Sequence, residues 1–156
     1  MTARMPRCFE HIADLQSHVG EELGASDWFE VTQERIGAFA DATDDRQWIH
    51  TDVERARVES PGGRTIAHGF LTLSLLSPLF ASALEVGNTS ASINYGLNRV
   101  RFTAPVQSGD RIRARFTLQQ YQALETGAQL VWHVLIERAG ESKPVVIAEW
   151  LMRRIQ

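Results

Sequence analysis

Hydrophobic positions change their period part-way along the chain. Up to about residue 84 they recur at spacings of three and four, and beyond residue 92 they alternate with polar ones. Phe9, Ile12, Leu15, Val19 and Leu23 predict an amphipathic helix over 9–23, closed by Gly24 and Ser26. A short strand is expected over 28–31. Thr32 then reads as an N-cap with Glu34 in the first turn, where the helix dipole favours an anion. Ile36, Phe39, Ala40 and Thr43 give that helix its face, and Asp44-Asp45 ends it, because these side chains compete for backbone hydrogen bonds. One or two helical turns are expected over 52–58, then a loop at Ser60-Pro61-Gly62-Gly63.

Residues 66–84 predict one long helix that is apolar on nearly all sides and therefore wrapped by other structure, with Pro78 kinking or breaking it. Its apolar run, 69–84, falls short of the roughly 18–20 residues that span a bilayer, and it holds Thr72, Ser74, Ser77, Pro78 and Ser82. Strands are expected over 92–103, 110–121, 129–137 and 145–154, separated by turns at 105–109, 125–127 and 139–143. Ile112, Ala114, Phe116 and Leu118 alternate with Arg111, Arg113, Arg115 and Thr117, the pattern of a strand with one wet face. Leu130-Val131-Trp132 and Val145-Val146-Ile147 are apolar on both faces, as central strands are. Helices first and antiparallel strands afterwards make an α+β fold, with the long helix lying on a curved sheet.

Composition narrows the classes. The 156 residues amount to one domain, 1–156, with 1–25 as an N-terminal helical extension, and 44% of them are hydrophobic against 22% charged. Sixteen Lys+Arg against nineteen Asp+Glu leave a net charge of −3, which lacks the basic footprint of a nucleic-acid-binding domain. The single cysteine, Cys8, excludes an internal disulfide and a CxxC metal knuckle. Arg4 and Arg7 precede no apolar core of signal-peptide length, so a cytoplasmic protein without a membrane span is expected.

Two stretches carry candidate chemistry. In Asp44-Asp45-Arg46-Gln47-Trp48-Ile49-His50, a carboxylate and an imidazole five residues apart across a helix-to-loop turn can face one small volume. A neutral histidine takes a proton near physiological pH, and a nearby carboxylate orients it or shares the work. The same spacing also suits a His50 that caps a helix or packs on Trp48. In Thr65-Ile66-Ala67-His68-Gly69-Phe70, a glycine opening a buried helix exposes a backbone N–H at the positive end of the dipole. The alternative there is a glycine needed only for helix–sheet packing.

Together the two stretches resemble the MaoC-like (R)-specific enoyl-CoA hydratases. D-x4-H is followed by a Pro-Gly loop and then T-I-A-H-G-F-L-T-L-S-L-L-S; the later N-Y-G-L-N-R-V-R-F-T-A-P-V-Q-S-G-D-R, from Asn94 to Arg111, is similar to the nodulation-protein-N-like branch of that group. The resemblance runs from about Trp28 to Arg154. It implies a hotdog fold, an antiparallel sheet wrapped around a central helix. It also implies that Asp45 and His50 activate a water and return a proton to the α-carbon, and that the Gly69 N–H holds the thioester carbonyl. Ser77, with Ser74 as the substitute, would support the site by hydrogen bonding, or bond back to its own helix. His68 belongs to the motif and reads as structural.

The motif departs from the family's usual G-D-x-N-P-x-H at Asp44, Gln47 and Trp48. Gln47 keeps an amide near the acyl group, and Asp44 sets a like charge beside Asp45. The implied reaction reversibly hydrates a trans-2-enoyl-CoA to the (R)-3-hydroxyacyl-CoA, with no metal and no cofactor beyond the coenzyme A of the substrate. Arg64, Arg99 and Arg101 are the candidate contacts to its phosphates, although arginines on a strand also suit a solvated face. A hotdog acyl-CoA thioesterase and a non-catalytic acyl-thioester-binding module are the alternatives. An uncovered sheet edge predicts a homodimer.

Overall fold

The computed structural model describes residues 5–156; Arg4 and the rest of the first four residues of the expected 1–25 extension lie outside them. Four long strands dominate: β5 (Ala91–Phe102), β6 (Arg111–Leu124), β7 (Gly127–Arg138) and β8 (Val146–Ile155). They pair antiparallel in the order β6-β7-β8-β5. Two short strands, β2 (Glu22–Ala25) and β3 (Phe29–Glu30), share the other side of β6. The β6–β7 turn closes on Gly127 at φ +137°, where an added Cβ would overlap the Arg154 carbonyl. Only glycine combines that conformation with so close an approach.

Period-two alternation places one side of β6, β7 and β8 in the core. Ile112, Ala114, Phe116 and Leu118 are all fully buried, as are Leu130, Trp132, Val134 and Ile136 of β7. Their neighbours Arg113 and Arg115 pair on the outer face with Glu137, at 2.8 and 3.3 Å. The expected wet and dry faces of β6 are thus present, and Leu130, Val131 and Trp132 are buried in succession on central β7, whereas β5 is exposed or half-exposed along its whole length. Two helices lie across the dry face, α4 (Gly69–Ser74) and α5 (Leu76–Ala83). Phe80 of α5 is the hub, with its ring edge-on to Phe116 at 5.1 Å, Trp132 at 5.1 Å and Trp150 at 5.7 Å.

Two expectations need correction. The segment 9–23 is not one helix. It comprises β1 (Arg7–Phe9), a 3₁₀ helix (Ile12–His18) and β2. Phe9, Ile12, Leu15 and Leu23 do enter the core, but Val19 is 45% exposed and Gly20 turns the chain at φ +93°. A spacing of three suits a 3₁₀ helix as well as an α-helix, and the unpaired side of β6 takes the following backbone, Gly20 N–H donating to the Leu118 carbonyl at 2.7 Å.

The segment 66–84 is likewise not one helix. Residues 66–68 are extended, Ala67 N–H donating to Val106 O at 2.7 Å, and the helical part breaks at Leu75 (ψ −5°). The break precedes Pro78 because the proline ring would meet the Ser74 carbonyl in a continuous helix. In the first turn of α5 its missing N–H costs nothing. After Ala83 the chain becomes β4 (Leu84–Val86), which pairs parallel with β1. Phe80→Ala should lower stability by about 3–5 kcal/mol, the usual cost of emptying a buried aromatic site, read as an earlier denaturant midpoint.

Candidate active site

Helix α1 (Gln33–Thr43) starts where Thr32 Oγ1 accepts the Arg35 N–H at 3.3 Å, and it ends at Asp44, left-handed at φ +58°. Aspartate tolerates that conformation better than most residues. The reversal aims Asp44 outward: its side chain is 84% exposed and pairs with Arg46 at 2.6 Å. The chain then enters α2 (Trp48–Thr51) and, after the Asp52 cap, α3 (Val53–Glu59). Asp45 precedes α2 and His50 lies within it, so the five-residue spacing crosses a turn.

His50 is buried, and its Nδ1 lies 2.6 Å from the carbonyl of Ile66. A carbonyl only accepts, so Nδ1 carries the proton and Nε2 keeps its lone pair. Burial pushes the imidazole below its ordinary 6.5; the Ile66 carbonyl opposes this, His68 adds to it and Asp45 opposes it. A neutral, tautomerically fixed imidazole is a competent proton acceptor. Gln33 Nε2 donates to the His50 carbonyl at 2.8 Å, and the Thr65 hydroxyl donates to Gln33 Oε1. Nothing in the sequence pattern marked this support, because Gln33 acts through a main-chain acceptor.

His68 joins the pair. Its ring stacks on that of His50, centroids 3.7 Å apart at 25°, and leans on Phe39 at 5.0 Å. Its Nε2 lies 2.9 Å from the backbone carbonyl of Asp45 and 4.0 Å from its carboxylate. By the same rule Nε2–H donates to that carbonyl. Ligand atoms of Asp45, His50 and His68 lie within 4.8 Å of one another. His68 Nε2–H is committed to the Asp45 carbonyl, so that nitrogen offers no lone pair to a cation in this arrangement. Gln47 Nε2 donates to the Asp45 carboxylate at 3.1 Å and so holds the acid.

His50 and Gly69 line one cavity of ≈ 380 Å³ with Thr72 and Phe102. Gly69 opens α4, so its N–H has no partner within that helix. A Cβ there would sit 3.1 Å from the Phe102 ring. Ser77 is not brought to this group: it accepts from Asn94 Nδ2 at 3.3 Å in a separate groove. Ser74 bonds back to the Phe70 carbonyl of its own helix. Arg64 is engaged as a brace, reaching Ser108 O at 2.7 Å and Asp110 Oδ1 at 3.0 Å. Arg99 and Arg101 are exposed on edge strand β5, Arg101 donating to its neighbour's carbonyl.

The MaoC-like domain family matches residues 14–136, which include all three members of this cluster. The chain belongs to the MaoC-like dehydratase family. It is 47% identical over 150 residues to 3-hydroxyacyl-thioester dehydratase Z of Mycobacterium tuberculosis, covering 96% of this chain and 99% of that one. It is also 47% identical over 144 residues to nodulation protein N of Rhizobium leguminosarum, covering 90% and 88%. The structure of an R-hydratase from Pseudomonas aeruginosa superposes with a TM-score of 0.70 at 25% identity, over 94% of this chain and 86% of that one. The α+β hotdog architecture and membership of the nodulation-protein-N-like branch are thereby shown, and the protein is an enzyme of the hydratase–dehydratase class. No helix among the described residues is long and apolar enough to cross a membrane.

In this MaoC-like site His50 should titrate below 6.5, with Nδ1 protonated in the neutral form, as nitrogen-detected NMR would read directly. His68→Phe keeps a ring in the stack but removes the donor to the Asp45 carbonyl and the like charge beside His50. The His50 midpoint should then rise; an unmoved midpoint would show that His68 only fills space.

Proposed function

We propose that the protein reversibly hydrates trans-2-enoyl-CoA thioesters to (R)-3-hydroxyacyl-CoA thioesters, using Asp45 and His50 as the reacting pair and Gly69 as the oxyanion donor. One observation carries this reading: an imidazole protonated at Nδ1, with Nε2 left as the acceptor, shares a cavity with the glycine whose N–H opens α4. In the hydration direction, Asp45 accepts a hydrogen bond from the water and orients it. His50 Nε2 takes a proton as the water oxygen bonds to C3. The electron pair of the C2–C3 double bond moves onto the thioester oxygen, where the Gly69 N–H stabilises the negative charge. The imidazolium then returns the proton to C2 on the same face. The water's atoms end as a hydroxyl on C3 and a hydrogen on C2, a syn addition that needs no metal or redox cofactor. The coenzyme A belongs to the substrate. The named activity of the tuberculosis relative and the R-hydratase fold neighbour support the substrate class and the product's configuration.

Loss of enoyl-thioester ultraviolet absorbance on adding crotonyl-CoA tests the reading, with chiral analysis of the product. Asp45→Asn or His50→Ala should each slow turnover by roughly 10²-fold or more with the fold intact, the range for losing a general acid or base. Near-wild-type turnover in either variant would remove that residue from the reaction. Free thiol released from saturated acyl-CoAs would instead indicate a thioesterase.

The functional unit is a homodimer in this reading. β5 is an outer strand of the sheet, and Ile93, Tyr95, Leu97 and Phe102 on it are 43–51% exposed. An exposed edge strand of twelve residues is a template for a further strand, and two-fold pairing of β5 with its copy covers this edge in both protomers at once. Light scattering at micromolar concentration should give twice the chain mass of 17.5 kDa; a clean monomer would overturn the pairing.

A further inference from the structure

Arg154 differs from the other arginines of the sheet. Arg113 and Arg115 pair with Glu137, Arg138 with Asp110, and Arg153 donates to Gln129. Arg154 continues the inward-facing row of β8, after Ala148, Trp150 and Met152, which are 1–3% exposed. There its Nε is shut off from water and has no hydrogen-bond partner among the described residues. Its guanidinium lies 5.5 Å from the centroid of the Phe80 ring. A guanidinium stays charged and offers five donors, so one left without an acceptor in a sheltered position is costly.

The group faces space. Arg154 lines a cavity of ≈ 390 Å³ with Ser77, Phe80, Ser92, Asn94 and Trp150. Ser77, Asn94 and Trp150 also line a neighbouring cavity of ≈ 300 Å³, whose other walls include Phe70, Leu73, Leu76 and Leu97. The shared residues make one groove between α4–α5 and strands β5 and β8. It is apolar along its middle and polar where Arg154, Ser92 and Asn94 meet. The groove shares no lining residue with the Gly69 cavity, but Phe70, the next residue in the chain, lines its near end, and Phe80, eleven positions beyond Gly69, lines its far end.

We propose that this groove takes the acyl chain of the substrate and that Arg154 binds a hydrogen-bond-accepting oxygen on the chain's distal part, so that the preferred thioesters carry a carboxylate or a ketone there instead of an alkyl end. The proposal rests on the acyl-thioester reading above and adds the class of acyl group. The middle of the groove matches methylenes, and its end matches oxygen. A methyl-ended chain would leave the guanidinium without an acceptor and seal it further from water. Glu85 also lines the cavity, but its carboxylate lies 3.7 Å from the Cys8 thiol and forms no ion pair with Arg154 among the described residues. A neutral ketone therefore avoids a repulsion that a carboxylate meets, and the two oxygen types form separate arms of the test.

The experiment is calorimetric titration of the full chain with saturated, unreactive acyl-CoAs of matched length whose chains end in methyl, carboxylate or ketone. The wild type should bind at least one oxygen-ended series about tenfold or more tightly than the methyl-ended one, the effect expected of a hydrogen bond to a charged donor. Arg154→Leu should abolish or invert that preference, and Arg154→Lys should retain part of it. Equal or weaker binding of both oxygen-ended series by the wild type overturns the proposal without recourse to any variant. So does a preference that survives in Arg154→Leu. Thioester binding without enoyl turnover would defeat the hydration reaction and leave this subsite standing, whereas binding of no thioester defeats both.

Discussion

The hydrogen bond between the His50 imidazole and the Ile66 carbonyl joins two stretches that sequence separates by sixteen residues. Its consequences reach in three directions. It selects the tautomer that leaves Nε2 basic. It places the imidazole in a buried position where the charged form is disfavoured. It also anchors the extended residues 66–68 just before α4, and so sets where Gly69 presents its N–H. The Ile66 N–H returns the favour by donating to the Ile49 carbonyl at 2.9 Å, which makes the link two-stranded. His50 and the segment leading into Gly69 are tied by main-chain groups at both ends of this link, an arrangement that keeps their separation fixed without a loop between them having to be rigid.

The sheet was the most legible part of the sequence. Period-two alternation in residues such as Ile112 to Leu118 survives folding unchanged, because each residue has one neighbour strand on either side and one face to bury. Helical spacing carried less. Of the apolar positions from Phe9 to Leu23, all but Val19 face the core as their spacing predicts, but the element type was decided by the free side of β6, which no local pattern records. At Pro78 a disruption was expected, and the break lies three residues upstream at Leu75, since it is the preceding turn's carbonyl that the ring displaces.

Side chains that act through the main chain were the hardest to read. Asp45, His50 and Gly69 could be named because the family motif marks them and the chemistry requires those residue types. Structure adds the tautomer of His50 and the cavity shared with Gly69. His68 looked structural, and its bond is indeed to a backbone carbonyl, yet the carbonyl belongs to Asp45 and its ring face belongs to His50. Arg64 was a phosphate candidate by charge alone; its three acceptors on the 107–110 turn lie more than forty residues away in sequence. Arg154 lacked any distinguishing context until the sheet showed which way it points.

The interruption at Leu75 divides the labour along the dry face. α4 carries Gly69 against Phe102, whereas α5 carries Phe80 against three aromatic rings and borders the Arg154 groove. Because the two helices are hinged by a residue outside regular helical geometry, a change in side-chain volume on α5 need not rotate the first turn of α4. Substitutions at Gly69 and at Phe80, which have no ring partner in common, should then combine nearly additively. A fold divided in this way lets the reach and polarity of its groove drift through evolution while the acid–base end stays in place.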